Sequence, residues 1–401
     1  MSSRVEQGRA VSMTLLRASE EAGDRPLRIE ALSGIAHTYR MQHDYVRAHG
    51  LFREALDLAE ATGDGVRQAG ILIGIADNYY MQSDYGRARG LYREALTLAE
   101  AVGDRRCRAE ALTGIAHTYR MQDEYDRAGG LFREALALAE SIHDRSRQVV
   151  ALTGIAHAHF MQDDYDGARG FFRRALGLAE ITADRIGQGS ALTGIAHTYR
   201  MQGDYDRARG SFHEALGLAD TIGDRLRQTV ARTGIAHTYR VQGDYDRARS
   251  FFREALGLAE TIRNHYQQAE AVTGIAHTYR MQGDYDRAMN YYRRGLGLAE
   301  RIGDRYSRAE ALTGIAHLHR MEGDYVRAHG FFREALDLAE GIGDRNQRAE
   351  VLTGIGLVFQ SSGDTDQARA CYEKALSLSH ASGASHMVIY LQDLVRLLGD
   401  D

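Results

Sequence analysis

The sequence predicts an all-α protein, an α-solenoid of antiparallel helix pairs arranged as a right-handed superhelix. Three observations lead to this fold class. A block of 40 residues recurs along the chain, its apolar residues follow helical spacing, and Gly-Asp marks most of the junctions between predicted helices. A fixed period of this length is typical of arrays in which each unit stacks on the next. Nine such units occupy residues 24–383.

The unit that starts at Asp184 illustrates the first helix of each pair. Its apolar residues recur at i, i+3, i+4 and i+7, which places them on one helical face. They are Leu192, Ile195, Ala196 and Tyr199. Gly194 also lies inside this helix, where glycine costs roughly 0.5–1 kcal/mol relative to alanine. Close approach of a neighbouring helix would explain it.

The second helix of the unit carries a longer apolar stripe. Its members are Tyr205, Ala208, Phe212, Ala215, Leu216, Ala219 and Ile222. Gly203-Asp204 precedes this helix and Gly223-Asp224 comes after it. Glycine adopts the left-handed conformation that ends a helix, and aspartate accepts hydrogen bonds from the first amides of the next. Gly210 and Gly217 lie inside the helix without an evident role.

Both ends of the chain depart from the repeat, as capping segments of an array do. Residues 1–23 align with a second helix only, and we expect an N-terminal half-repeat that caps the array. Residues 384–401 form a last helix whose apolar face is expected to seal the C-terminal end. That face consists of Val388, Leu391, Leu394, Val395 and Leu398. A docking helix for a partner is the alternative.

Composition indicates a folded protein of the cytoplasm. Apolar residues make up 44% of the 401 residues and charged residues 26%. The two cysteines, Cys107 and Cys371, are too few for a disulfide framework. We expect no signal peptide and no membrane span, because no apolar segment is long enough. A net charge of −5 makes nucleic acid an unlikely partner.

The spacing of these residues resembles the tetratricopeptide repeat signature. The match runs through Leu192, Ile195, Ala196, Tyr199, Gly203, Tyr205, Ala208, Phe212 and Ala215. The chain departs from the signature at Ala196, where glycine is usual, and in lacking a proline after the second helix. Its period is 40 residues rather than 34. The longer unit is similar to that of Pins/LGN-type adaptors and bacterial regulatory arrays.

The resemblance implies that the first helix of each pair lines a concave groove that binds extended peptides. Within one unit the corresponding positions are Ser190, Thr193, His197, Arg200 and Met201. The predicted partner-binding residues are Thr193, His197, Arg200, Thr233, His237, Arg240, Thr273, His277, Arg280, Thr313, His317 and Arg320. Asp77 with Tyr80, and Phe160, interrupt the pattern earlier in the chain.

These rows predict a groove selective for anions. Arginine offers forked donors to carboxylates, threonine adds hydrogen bonds, and methionine gives adaptable apolar contact. The alternative is a solvated face that duplication has repeated. Glu270, Glu310 and Glu350 lie on the same predicted face, where they would neutralise part of the arginine charge.

No motif indicates catalysis, a cofactor or a metal ion. Packed helices lie roughly 8–10 Å apart, too far for successive histidines to share a zinc ion. The chain has no phosphate-binding loop and no nucleophile elbow, and Gly203–Asp206 is explained by helix capping. Enzymatic activity is therefore not expected.

The function predicted from the sequence is an interaction scaffold that binds an extended, acidic segment of a protein or peptide. One alternative is a regulatory sensor in which a peptide or small effector changes the curvature of the array and a separate protein supplies the output. Another is a structural solenoid whose near-identical units self-associate end to end.

Overall fold

The structure is a computed structural model that describes residues 2–42, 44–82, 84–122, 124–382 and 385–398. Side chains are described from residue 8 onwards, except those of residues 385 and 386. Every regular element in these ranges is an α-helix, and no strand occurs in them. The predicted all-α fold is therefore confirmed. The chain divides into two compact units, Met1–Ala191 and Leu192–Asp401.

The first unit begins with a single helix and continues as helix pairs. Its helices are α1 (Ser2–Ala22), α2 (Arg25–Met41), α3 (Tyr45–Thr62), α4 (Gly65–Met81), α5 (Tyr85–Ala101), α6 (Arg105–Arg120), α7 (Tyr125–Ser141), α8 (Arg145–Met161) and α9 (Tyr165–Ile181). Each even-numbered helix packs against the odd-numbered helix that comes next.

The boundary between the units falls inside α10 (Arg185–Met201). The later helices are α11 (Tyr205–Ile222), α12 (Arg225–Val241), α13 (Tyr245–Thr261), α14 (His265–Met281), α15 (Tyr285–Ile302), α16 (Arg305–Met321), α17 (Tyr325–Ile342), α18 (Arg345–Ser362), α19 (Thr365–Ala381) and α20 (Ser385–Leu397). In the second unit α12, α14, α16 and α18 contact one another in succession, so they form one layer.

The repeating core unit is an aromatic ring seated on a glycine of the next pair. Phe212 and Phe252 are fully buried. A Cβ atom placed on Gly234 would lie 2.3 Å from Cε1 of Phe212, and one on Gly274 would lie 2.4 Å from Cε1 of Phe252. The close approach expected of the glycine in the repeated block is therefore confirmed at these equivalent positions.

The helix junctions use the predicted capping device. Asp204 accepts a hydrogen bond from the backbone amide of Arg207, and Gly223 has a φ of 66°. Four junctions place a residue other than glycine in the left-handed region, at φ values of 53–62°. These residues are His143, Asp163, Ala183 and Arg263. The junction geometry is thus more uniform than its sequence.

The last described helix, α20, packs against α19. Leu391 is fully buried and Leu394 is 8% exposed, and both join the apolar cluster around Tyr372. The predicted apolar face of the terminal helix therefore meets the end of the array. The predicted domain border at 383/384 lies outside the described residues, and the division into an array and two capping segments stays a prediction.

Candidate functional site

The layer formed by α12, α14, α16 and α18, together with the end of α10, carries the residues predicted to line a groove. Three rows run along it within the second unit. We call them the arginine row (Arg200, Arg240, Arg280 and Arg320), the histidine row (His197, His237, His277 and His317) and the glutamate row (Glu270, Glu310 and Glu350). Each member stands one repeat of 40 residues after the previous one.

The arginine row lacks counter-ions. All four side chains are half-buried, and no carboxylate oxygen of the described residues lies within 4.0 Å of their guanidinium groups. The Nε atom of each is buried without a hydrogen-bond partner. Burial lowers the pKa of Arg200. These groups are therefore cations that have lost water without gaining a carboxylate partner, which favours binding of an anion.

The histidine row packs on the core aromatic rings. The ring of His237 meets that of Phe252 edge-on at 5.0 Å, and the ring of His317 meets that of Phe332 at the same distance. Burial, together with nearby arginines, lowers the pKa of His237, His277 and His317 well below 6.5. These imidazoles are neutral at physiological pH, so the positive charge of the site comes from arginine alone.

The glutamate row pairs with histidine rather than with arginine. Nε2 of His237 lies 3.7 Å from Oε1 of Glu270, and Nε2 of His277 lies 3.3 Å from Oε1 of Glu310. Burial raises the pKa of Glu270 to about 7, although Arg200 opposes the shift. The expected neutralisation of the arginines by direct glutamate contact does not occur in the described residues.

The threonines of the repeated block lie deeper than the arginines. Thr233, Thr273 and Thr313 are at most 3% exposed, and the hydroxyl of Thr313 donates to the backbone oxygen of Ala309. Thr193 is half-buried. Methionines lie nearer the surface, since Met281 and Met321 are each 50% exposed. Arginine and methionine are therefore the most accessible of the predicted rows.

The last rung of the second unit differs from the others. His317 and Glu350 line a cavity of about 250 Å³, together with Thr353, Leu357, Met387 and Tyr390. Leu357 stands where the other units of this layer have histidine, and Met387 and Tyr390 belong to α20. The cavity therefore joins two repeat helices to the terminal helix.

The first unit has a different pocket at the place where the sequence pattern breaks. Asp77 pairs with Arg40 and accepts a hydrogen bond of 2.6 Å from the hydroxyl of Tyr92. Tyr80 and His117 complete the polar wall of this pocket, which has a volume of about 220 Å³. Here the carboxylate and the guanidinium satisfy each other, in contrast to the arginine row.

Sequence reasoning missed two features of the second unit. It did not pair histidine with glutamate, because these residues stand 33 positions apart in different helices. It did not find the cavity that α20 closes. One signal was present for the cavity, since Leu357 replaces the histidine of the repeat.

Two negative findings apply to the described ranges. No group of three or more histidine, cysteine, aspartate or glutamate side chains there is arranged to hold a metal ion. No helix in those ranges combines the length and apolar character needed to cross a membrane.

Helical pairs of this kind, with a lined inner layer, define a helical-repeat binding protein. The family comparison is specific. Residues 189–399 match the MalT-like TPR region, residues 67–141 and 147–221 match a tetratricopeptide repeat family, and residues 28–62 match another. The chain belongs to the tetratricopeptide repeat family.

Solved structures share the fold at low sequence identity. A Rap protein in complex with competence and sporulation factor has a TM-score of 0.68 at 16% identity, covering 90% of this chain and 99% of that one. The apo quorum sensor NprR from B. thuringiensis has a TM-score of 0.63 at 14% identity, with the same coverage. A STAND protein from Pyrococcus horikoshii with a tetratricopeptide repeat sensor reaches 0.58 at 15% identity, covering 86% of this chain and 55% of that one.

A comparison with curated protein sequences gave no match.

Proposed function

We propose that the second unit binds an extended acidic peptide segment along its arginine row. The observation that carries this proposal is the state of the four guanidinium groups, which are half-buried and have no carboxylate within 4.0 Å among the described residues. An incoming carboxylate supplies the missing acceptor at each position. Exposed Met281 and Met321 offer apolar contact beside it.

The repeat spacing sets the register of such a ligand. Packed helices lie roughly 8–10 Å apart, and an extended chain advances about 3.3–3.6 Å per residue. One carboxylate for each arginine therefore requires an acidic residue at about every third position. Four partly exposed contacts of about 0.5–1 kcal/mol each would together change the affinity by roughly one to three orders of magnitude.

A peptide-responsive sensor is the second candidate function. It is supported by the similarity to a Rap protein solved with competence and sporulation factor and to a quorum sensor. A sensor and a scaffold share the binding step and differ in whether binding changes the shape of the array. Ligand-dependent change in the radius of gyration in solution scattering would favour the sensor, whereas an unchanged radius would favour the scaffold.

The test uses a twelve-residue peptide with glutamate at every third position, serine and glycine between, and blocked ends. Its matched control replaces every glutamate by glutamine. We expect fluorescence anisotropy to show saturable binding of the glutamate peptide, at least tenfold weaker binding of the glutamine peptide, and loss of affinity as salt rises. Equal affinities for the two peptides would overturn the proposal.

A further inference from the structure

The histidine and glutamate rows form three rungs in the second unit, and only two of them are closed. His237 pairs with Glu270 and His277 pairs with Glu310. At the third rung His317 and Glu350 face the cavity that α20 covers, and no ion pair joins them. Nδ1 of His317 is buried without a hydrogen-bond partner. The third rung therefore leaves polar groups for a ligand.

Glu350 is the acceptor that stands out in this cavity. Its carboxylate has no hydrogen bond and no ion pair with any described residue. Partial removal from water and the neighbouring Glu310 raise its pKa, while Arg240 and Arg280 oppose that shift. The carboxylate thus lacks local stabilisation, and a cation placed beside it would supply the missing donors.

The other walls of the cavity suit the body of an amine. Leu357 and Met387 provide apolar surface, and Tyr390 adds a phenol ring that is 47% exposed. An aromatic face attracts a nearby ammonium group, and apolar side chains cover the methylene groups that carry it. A volume of about 250 Å³ admits one such group and not a second chain.

From this geometry we infer that Glu350 binds a primary ammonium group of the ligand that occupies the groove. The inference rests on the proposed function, because it places the ammonium at the end of the segment whose acidic residues meet the arginine row. The ammonium group is either the α-amino terminus of the peptide or a lysine side chain. If it is the terminus, the peptide begins at α20 and runs from Arg320 towards Arg200.

Three peptides distinguish these sources. All carry the glutamate pattern, and they differ at the N-terminal end: acetylated, free, or acetylated with a terminal lysine. We expect the free or the lysine peptide to bind at least fivefold more tightly than the acetylated peptide. A gain for the free peptide identifies the α-amino group, and a gain for the lysine peptide identifies the side chain. No gain for either overturns the inference.

The variant Glu350→Gln tests whether this carboxylate is responsible. It is expected to abolish the gain while leaving the affinity for the acetylated peptide within about twofold. Glu373→Gln on α19 is the matched control, because it removes the same charge from an exposed position outside the cavity. A gain that survives in Glu350→Gln, or that is lost equally in Glu373→Gln, contradicts the assignment.

A small probe keeps the two proposals separable. We expect n-hexylamine to bind the full chain saturably and at least fivefold more weakly to Glu350→Gln, with n-hexanol as the uncharged control. If the glutamate peptide fails to bind but hexylamine behaves in this way, the peptide proposal is wrong and the ammonium site remains. If the peptide binds and hexylamine does not distinguish the variants, the ammonium inference is wrong.

Discussion

The hydroxyl of Tyr292 lies 2.8 Å from Nδ1 of His277, whose Nε2 lies 3.3 Å from Oε1 of Glu310. The three side chains form a continuous polar chain from the core of one repeat to the groove face of the next. Other repeats have phenylalanine at the position of Tyr292, for example Phe252 and Phe332. Burial raises the pKa of the Tyr292 phenol to about 12, so it stays protonated.

Removal of this hydroxyl is expected to destabilise the fold. In Tyr292→Phe, Nδ1 of buried His277 loses its partner, which costs about 1–3 kcal/mol in the free energy of unfolding. Urea denaturation followed by circular dichroism measures the change. Phe332→Leu, which leaves no polar atom unpaired, separates the loss of a hydrogen bond from the loss of ring volume. Stability of Tyr292→Phe equal to that of the wild type would show that the bond contributes nothing.

Two glycine-to-alanine substitutions should act in opposite directions. A Cβ atom on Gly314 would lie 2.1 Å from Cε1 of Tyr292, so Gly314→Ala forces the packed helices apart and should cost roughly 1–3 kcal/mol or more. Gly210 has no atom within 4 Å of such a Cβ, and Gly210→Ala should stabilise α11 by roughly 0.5–1 kcal/mol. Urea midpoints of both variants test this, and a change of the same sign in both would refute the packing argument.

Acid is expected to destabilise the first unit through its histidines. Burial lowers the pKa of His117 to about 3 and that of His157 to about 4. Between pH 6.5 and 4 the folded state binds fewer protons than the unfolded state, so the free energy of unfolding falls as the pH falls. The slope is at most about 1.4 kcal/mol per pH unit for each histidine.

Replacing one of these histidines isolates its contribution to the acid sensitivity. His157→Gln removes the titrating group, and its free energy of unfolding should depend less steeply on pH in that window than that of the wild type. Urea denaturation at a series of pH values measures both slopes. Identical slopes for the wild type and His157→Gln would contradict the burial argument.

The helix pairs could be predicted from the sequence because each of their determinants is local. Phe212 stands at core spacing, Asp204 caps the helix that begins after it, and Gly203 adopts the left-handed conformation. The glycine of the repeated block could also be predicted to lie at a close approach. Periodicity does not name its contact, which is with an aromatic ring of the preceding pair.

The charge state of the candidate site could not be predicted in the same way. Helical spacing places Thr233, His237 and Arg240 towards one face, but it does not fix how deeply the neighbouring repeats bury each of them. Thr233 is 2% exposed, His237 is neutral beside Glu270, and Arg240 has no counter-ion among the described residues. Burial by residues some 30 positions away decides these properties.

The cavity at the third rung depends on the path of the chain before α20. The apolar face with Leu391 and Leu394 predicts that this helix packs on the array, and it does. Its angle, which brings Met387 and Tyr390 over Glu350, depends on the turn and on packing against α19 rather than on the repeat pattern.

The most direct test of the arginine row compares two quadruple variants for binding of the blocked glutamate peptide. One changes the arginine row to glutamine. The other changes Arg207, Arg247, Arg287 and Arg327, which pair with the capping aspartates of the same repeats at 3.3–3.4 Å and are exposed. Both remove four positive charges from the second unit. We predict at least a tenfold loss of affinity in the first variant and less than a threefold loss in the second, with helicity unchanged. Equal losses in the two variants would show that net charge, and not the unpaired arginine row, attracts the ligand.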